Sequence, residues 1–246
     1  MFKDMKSSED PSHFPSAEQA RIAALERRIA ELDAFTYTVA HQLRAPLQAM
    51  NGFARRLQLD DASSLSPKAR SRLDRIAAAA LKMEQTIDDL LMLARADRFE
   101  LEKEPLATEE IVREVLAELR GPYPATRVMT SELPHVHADP VVVRQVFVNL
   151  IGNALKFSHL ADAPRIEIGL ATDGAFHVRD NGIGFGMDKA GALFEPFERL
   201  TGNADYPGTG VGLAIVRRLI ERHGGWVQAQ SREGGPTEFR FSFGND

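Results

Sequence analysis

The sequence predicts α plus α/β architecture: a two-helix hairpin that dimerises into a four-helix bundle, followed by an α/β sandwich. Two observations carry this. A heptad pattern recurs in two segments before about residue 98, and after it the hydrophobic period becomes a mixture of helix and strand. The length of 246 residues fits the same division, being about 1.6 domains on a prior of one per ~150 residues. The expected organisation is a flexible tail over 1–16, a coiled-coil lead-in and dimerisation hairpin over 17–98, and a second unit over 99–246.

In the first helix Ile22, Leu25, Ile29, Leu32 and Val39 fall on alternating three- and four-residue steps, a seam that continues towards Leu43. In the second, Leu73, Ile76, Ala80, Met83, Ile87, Leu90 and Ala94 hold positions a and d without a slip. The segment 60–67, rich in Asp and Ser and ending in Pro67, joins them as a turn. Such a hairpin has no third helix of its own chain to cover its stripe, so two copies burying it together is the economical solution. A plain coiled-coil spacer is the alternative. Further on, helices are expected over 108–119, 140–157 and 210–223, with Asp139 as cap and Pro140 as first helical residue of the second. Strands are expected at 127–130, 165–170, 175–179, 226–230 and 238–243. The helices should stack on one face of the sheet.

Composition excludes several classes. The net charge of −5 argues against nucleic acid as partner, and 43% hydrophobic with 26% charged residues argues against global disorder. The absence of cysteine removes disulfides, thiolate metal sites and a cysteine nucleophile. No apolar run of 18 residues is present, so no membrane insertion is expected, and the expected location is cytoplasmic.

His41 lies at heptad position f, away from the seam, with Pro46 five residues on. A neutral imidazole there is a nitrogen nucleophile open to a partner, although a solvated surface histidine explains the same position. Gln145, Asn149, Asn153 and Lys156 form a polar stripe on one helical face, opposite Val143, Phe147, Leu150 and Ala154. Amide oxygens suit Mg²⁺ and an ammonium suits phosphate; a solvated polar face is the alternative. The segment Asp180-Asn181-Gly182-Ile183-Gly184 follows a strand, so a carboxylate can accept from an exocyclic amine where glycines let backbone approach a flat base. The segment Gly208-Thr209-Gly210-Val211-Gly212-Leu213 opens a helix, whose free amides can receive phosphate. Between the two stand Phe194 and Phe197, aromatic anchors of a loop of about 25 residues with the character of a lid. His135, His137 and Asp139 are explained by a short strand running into a helix cap.

These motifs in this order resemble the transmitter module of sensor histidine kinases, over nearly the whole length from about 17 to 243. The segment from His41 resembles the phosphoacceptor box, 149–156 the asparagine box, 180–184 and 208–212 the two glycine boxes, and 194–197 the phenylalanine box. The wording around Asn153 and Tyr206 is most similar to soluble kinases of the phytochrome-linked type. The resemblance implies a histidine-phosphotransfer hairpin over 17–98 and a catalytic ATP-binding domain of the GHKL superfamily over 99–246. It further implies ATP and Mg²⁺ as cofactors, a homodimer, a response-regulator receiver domain as partner, and an upstream sensor domain or protein. Carried over, Asp180 reads adenine with Thr237, and Asn153 ligates Mg²⁺ with Asn149 close by. Lys156, the amides of 210–213 and, less directly, Arg199 hold phosphates. Hydrolysing relatives place Glu where Asn149 stands, and an amide cannot deprotonate water. Two departures stand out: Gln42 follows the phosphoacceptor where an acid is usual, and Ala45 stands where Thr or Asn accompanies phosphatase activity. Reduced kinase and phosphatase activities are the expectation, and a catalytically weak nucleotide-binding dimeric scaffold that regulates another kinase is the alternative reading.

Overall fold

The computed structural model describes residues 17–60, 64–96, 100–199, 206 and 208–244; the expected tail over 1–16 lies outside them. Two helices, α1 (Ala17–Asp60) and α2 (Pro67–Arg95), form the hairpin. At 44 residues α1 is about 66 Å long, and Ser66 caps α2 by accepting from the Ala69 N–H, with Pro67 in the first turn. Pro46 does not end α1, which runs on to Asp60. Leu47, the next residue, packs with Ala40, Ala80, Ile87 and Leu91.

Within the single chain most of the predicted seam is left uncovered. On α1 the buried side chains are Ala40, Leu47 and Ala54, one heptad apart, whereas Ile22, Leu25, Ile29, Leu32 and Leu43 are exposed. On α2 the a positions Ala80 and Ile87 are buried and the d positions Ile76, Met83 and Leu90 are not. Ala40, Ala54 and Ala80 let the two helices approach, and Ile76, Met83 and Leu90 are left on the outward side. Polar pairs Gln48–Glu84 and Gln58–Asp74 and the ion pair Arg44–Asp88 flank the contact.

The second unit holds a five-stranded sheet. Its strands are β2 (Arg127–Thr130), β4 (Arg165–Leu170), β5 (Phe176–Asp180), β6 (Trp226–Ser231) and β7 (Thr237–Ser242), in spatial order β2-β4-β5-β7-β6. All pairings are antiparallel except β2 with β4. Each strand lies within a residue of the expected one. Alternation sorts the faces: Ile166, Ile168, Phe176, Val178, Phe239 and Phe241 point into the core, while Glu167, Arg179 and Glu238 share one row of the outer face. Helices α3 (Thr108–Leu119), α4 (Pro140–Ser158) and α5 (Gly212–Arg222) cover the inner face, with Phe147, Leu150, Ile151, Ile215 and Leu219 buried against it.

Two short strands, β1 (Glu104–Ala107) and β3 (His135–Ala138), pair antiparallel at one end. β1 was not expected, since it is four residues long and carries Pro105. β3 runs into Asp139, which accepts from the Val141 and Val142 N–H groups at 2.9 and 3.1 Å and, through its other oxygen, from the Glu102 N–H at 3.0 Å. The histidine-containing segment is thus a strand and a cap. A 3₁₀ helix over Met187–Ala192 occupies the loop between the two glycine segments.

Candidate active site

A cavity of about 530 Å³ opens between α4, the ends of β5 and β7, and the start of α5. The 3.6-residue period of α4 places Gln145, Asn149, Asn153 and Lys156 along its wall, while Phe147, Leu150 and Ala154 are turned into the core. Asn149 donates to its own helix, from Nδ2 to the Gln145 carbonyl at 2.9 Å, which aims its Oδ1 towards Gly212. A Cβ at Gly212 would lie 2.4 Å from that oxygen, so a larger residue there would displace the Asn149 amide. Lys156 donates from Nζ to Asn153 Oδ1 at 3.1 Å and lies over the Phe157 ring at 4.2 Å. Burial, and next the nearby Arg199 guanidinium, lower its ammonium to about 8.

Asp180 and Thr237 face each other in register on the inner face of β5 and β7, continuing the rows of Val178 and Phe239 to the cavity floor. Asp180 is 4% exposed, and burial pushes its carboxyl up to about 7, opposed by the Gly182 N–H that donates to Oδ1 at 2.8 Å. Thr237 shares a hydrogen bond of 2.9 Å with Ser231. Gly184, at φ +58, packs so close to the Arg232 carbonyl that a Cβ would stand 2.0 Å from it.

The rim is the second glycine segment. Gly208 lies by Lys156, and Gly210, at φ +77, accepts from the Phe197 N–H at 2.9 Å. Leu213 opens on the cavity from the first turn of α5, and Arg199 donates to the Tyr206 carbonyl at 2.9 Å. The arrangement presents a buried acceptor at one end and a cation with helix-start amides at the other, the polarity a purine joined to an anionic chain requires.

Not every expected residue lines this cavity. Gly182 supports Asp180 from behind, and Val211 is buried behind the rim. The two expected aromatic anchors part company: Phe194 packs against the core, whereas Phe197 is 57% exposed with φ +68, a strained conformation for a phenylalanine. His41 and Gln42 are exposed on α1, outside the cavity lining. Conversely, Gln85 and Asp89 of α2, Leu119 at the end of α3, and Pro122 and Tyr123 beyond it line the cavity without having been expected. Asp89 sits at an outward heptad position, so nothing in the local pattern marks it.

The fold and site define a nucleotide-binding α/β sandwich of the ATPase type, set behind a helical hairpin that exposes a histidine. Family models agree: His Kinase A (phospho-acceptor) domain matches 31–99, and Histidine kinase-, DNA gyrase B-, and HSP90-like ATPase matches 138–245. The chain belongs to the sensor histidine kinases and carries their transmitter module. It is 37% identical over 225 residues to the methanogenesis regulatory histidine kinase FilI of Methanothrix harundinacea (strain 6Ac), covering 89% of this chain and 25% of that protein. It is 34% identical over 226 residues to cyanobacterial phytochrome B of Nostoc sp. (strain PCC 7120 / SAG 25.82 / UTEX 2576), covering 89% of this chain and 30% of that protein. Among solved structures, full-length ShkA in complex with AMPPNP superposes with TM-score 0.65 at 31% identity, over 85% of this chain and 45% of that one. The chain therefore spans less than half the length of these relatives. Among the described residues no helix is long and apolar enough to cross a membrane.

Proposed function

We propose that this chain is an ATP-dependent protein-histidine kinase that phosphorylates His41 and passes the phosphoryl group to a receiver-domain aspartate of a response regulator. The observation that supports it most is the cavity's polarity, Asp180 on its floor and Lys156 with 208–212 at its rim, in a chain that also exposes His41 on α1. Asp180 accepts the exocyclic amine of adenine, assisted by Thr237. Lys156, Arg199 and the amides at the start of α5 hold the phosphates. The side-chain oxygens of Asn149 and Asn153 suit Mg²⁺, with Asn153 the chosen ligand, and the ion would supply charge neutralisation for the phosphates. In transfer a ring nitrogen of His41 bonds to the γ-phosphorus, the bond to the bridging oxygen breaks, and ADP leaves. Gln42 holds the other ring nitrogen through its amide oxygen. The functional division is a phosphotransfer hairpin over 17–98 and a catalytic domain over 99–246, acting in a cytoplasmic homodimer downstream of a sensor. Incubation with γ-labelled ATP and Mg²⁺ should label the chain, and His41→Ala should abolish the label; no label in the wild type refutes the reading and leaves the scaffold, and label retained in that variant refutes His41 as the acceptor.

A further inference from the structure

The hairpin enters the cavity at a point that phosphoryl transfer leaves unused. Asp89 of α2 is 7% exposed; Gln85 Nε2 donates to its Oδ1 at 2.8 Å and Thr209 Oγ1 to its Oδ2 at 2.6 Å. Thr209 stands between Gly208 and Gly210, and its hydroxyl accepts from the Val211 N–H at 3.3 Å, so the carboxylate is tied through it to the start of α5. Further along the same helix pair, Arg222 Nη1 donates to the Ala96 carbonyl at 2.5 Å. Gln85 and Asp89 line the cavity together with Asn149, Asn153 and Lys156. A side-chain anion from the hairpin is therefore seated at the loop that, on the proposed function, receives a polyphosphate.

We infer that the Asp89–Thr209 hydrogen bond is an autoinhibitory latch that the phosphates of ATP exclude. Two anions cannot share one set of donors without loss, because like charges in a largely buried site repel and the donors that satisfy one leave the other short. The latch also holds the catalytic domain against α2 while His41, on α1, stays outside the cavity lining. Nucleotide loading thereby breaks this tie between the domain and α2. The inference rests on the nucleotide reading of the cavity.

The full chain titrated with a fluorescent ATP analogue and Mg²⁺ separates the two. No binding by the wild type sinks the nucleotide reading itself. Given binding, Asp89→Ala should tighten the analogue by about tenfold, the size of one charge-assisted hydrogen bond. Asp89→Asn, which can still accept from Thr209 but carries no charge, should fall between. Equal affinity in Asp89→Ala overturns the latch; weaker affinity overturns it too, and would mean that Asp89 helps hold the metal ion. Because the chain has no cysteine, the pair Asp89→Cys with Thr209→Cys gives a second measure. Disulfide formation should proceed without nucleotide, be slowed at least about fivefold by saturating MgATP, and block analogue binding until a reductant restores it. Failure to cross-link, or cross-linking at the same rate with MgATP, refutes mutual exclusion.

Discussion

The hairpin and the sandwich solve the problem of a hydrophobic core differently. In the sandwich, Phe147, Phe176, Phe241 and Phe243 form a ring cluster with centroids 5.5–5.9 Å apart, enclosed between α4 and the sheet. In the hairpin the interior is the single row of Ala40, Leu47, Ala80, Ile87 and Leu91, while Ile76, Met83, Leu90, Met50 and Phe53 are left outside it. One unit buries its apolar surface within one chain. The other has an apolar face that only a further helix pair can cover, consistent with the dimerisation its family implies. An apolar pattern thus reports how much surface must be buried, not whether its own chain buries it.

Five substitutions break or sharpen this contrast. The largest effect belongs to the outward face: Leu90→Glu should convert the dimer to monomer at micromolar concentration in sedimentation, at a cost of several kcal/mol, about that of burying an unpaired charge in each copy. Ile87→Glu strikes the intrachain row instead and should unfold the hairpin as well, so the two variants separate the interfaces by circular dichroism. Next, Phe147→Ala should destabilise the sandwich by about 3–5 kcal/mol in denaturant titration while leaving the dimer assembled.

Smaller effects concern the cavity. Asp180→Asn should weaken ATP by about 1.5–3 kcal/mol, or roughly ten- to a hundredfold, with sedimentation unchanged. Its pH dependence has a definite sign. With the Asp180 carboxyl raised to about 7, the folded chain holds a proton that the unfolded chain releases nearer the ordinary carboxylate range. Its contribution to stability without nucleotide is therefore present at low pH and lost as pH rises through about 7. Affinity for ATP runs the other way, because the acceptor must be ionised. At the alkaline side Lys156, lowered to about 8, loses its charge, so calorimetric affinity should peak between the two, and Asp180→Asn should remove only the acidic limb. The smallest effect is expected at the exposed hairpin surface: Gln42→Glu should raise the rate of His41 labelling about tenfold, part of the ~10²–10⁴ that general-base help supplies. A rate unchanged or lowered would mean that orienting the ring suffices.

Much of this could be read along the chain. The stripe at Gln145, Asn149, Asn153 and Lys156 became one cavity wall because a helix repeats every 3.6 residues wherever it is placed. Asp180 and Thr237 reached the floor because strand alternation puts them in line with Val178 and Phe239. The second glycine segment met Asn149 and Lys156 as its lack of side chains allows. The strand β1, by contrast, has no pattern of its own, being four residues that depend on β3 for pairing.

What the sequence determined by itself is the direction each side chain takes from its own helix or strand, since that follows from local backbone geometry. Tertiary structure alone decided which outward positions found a neighbour. Asp89 is an ordinary exposed heptad position until Thr209, 120 residues away, closes on it. Leu47 is buried where Leu43 is not, and Phe197 is turned out with a left-handed backbone while Phe194 is packed in. Burial is a property of two surfaces meeting, and a periodic pattern describes only one of them.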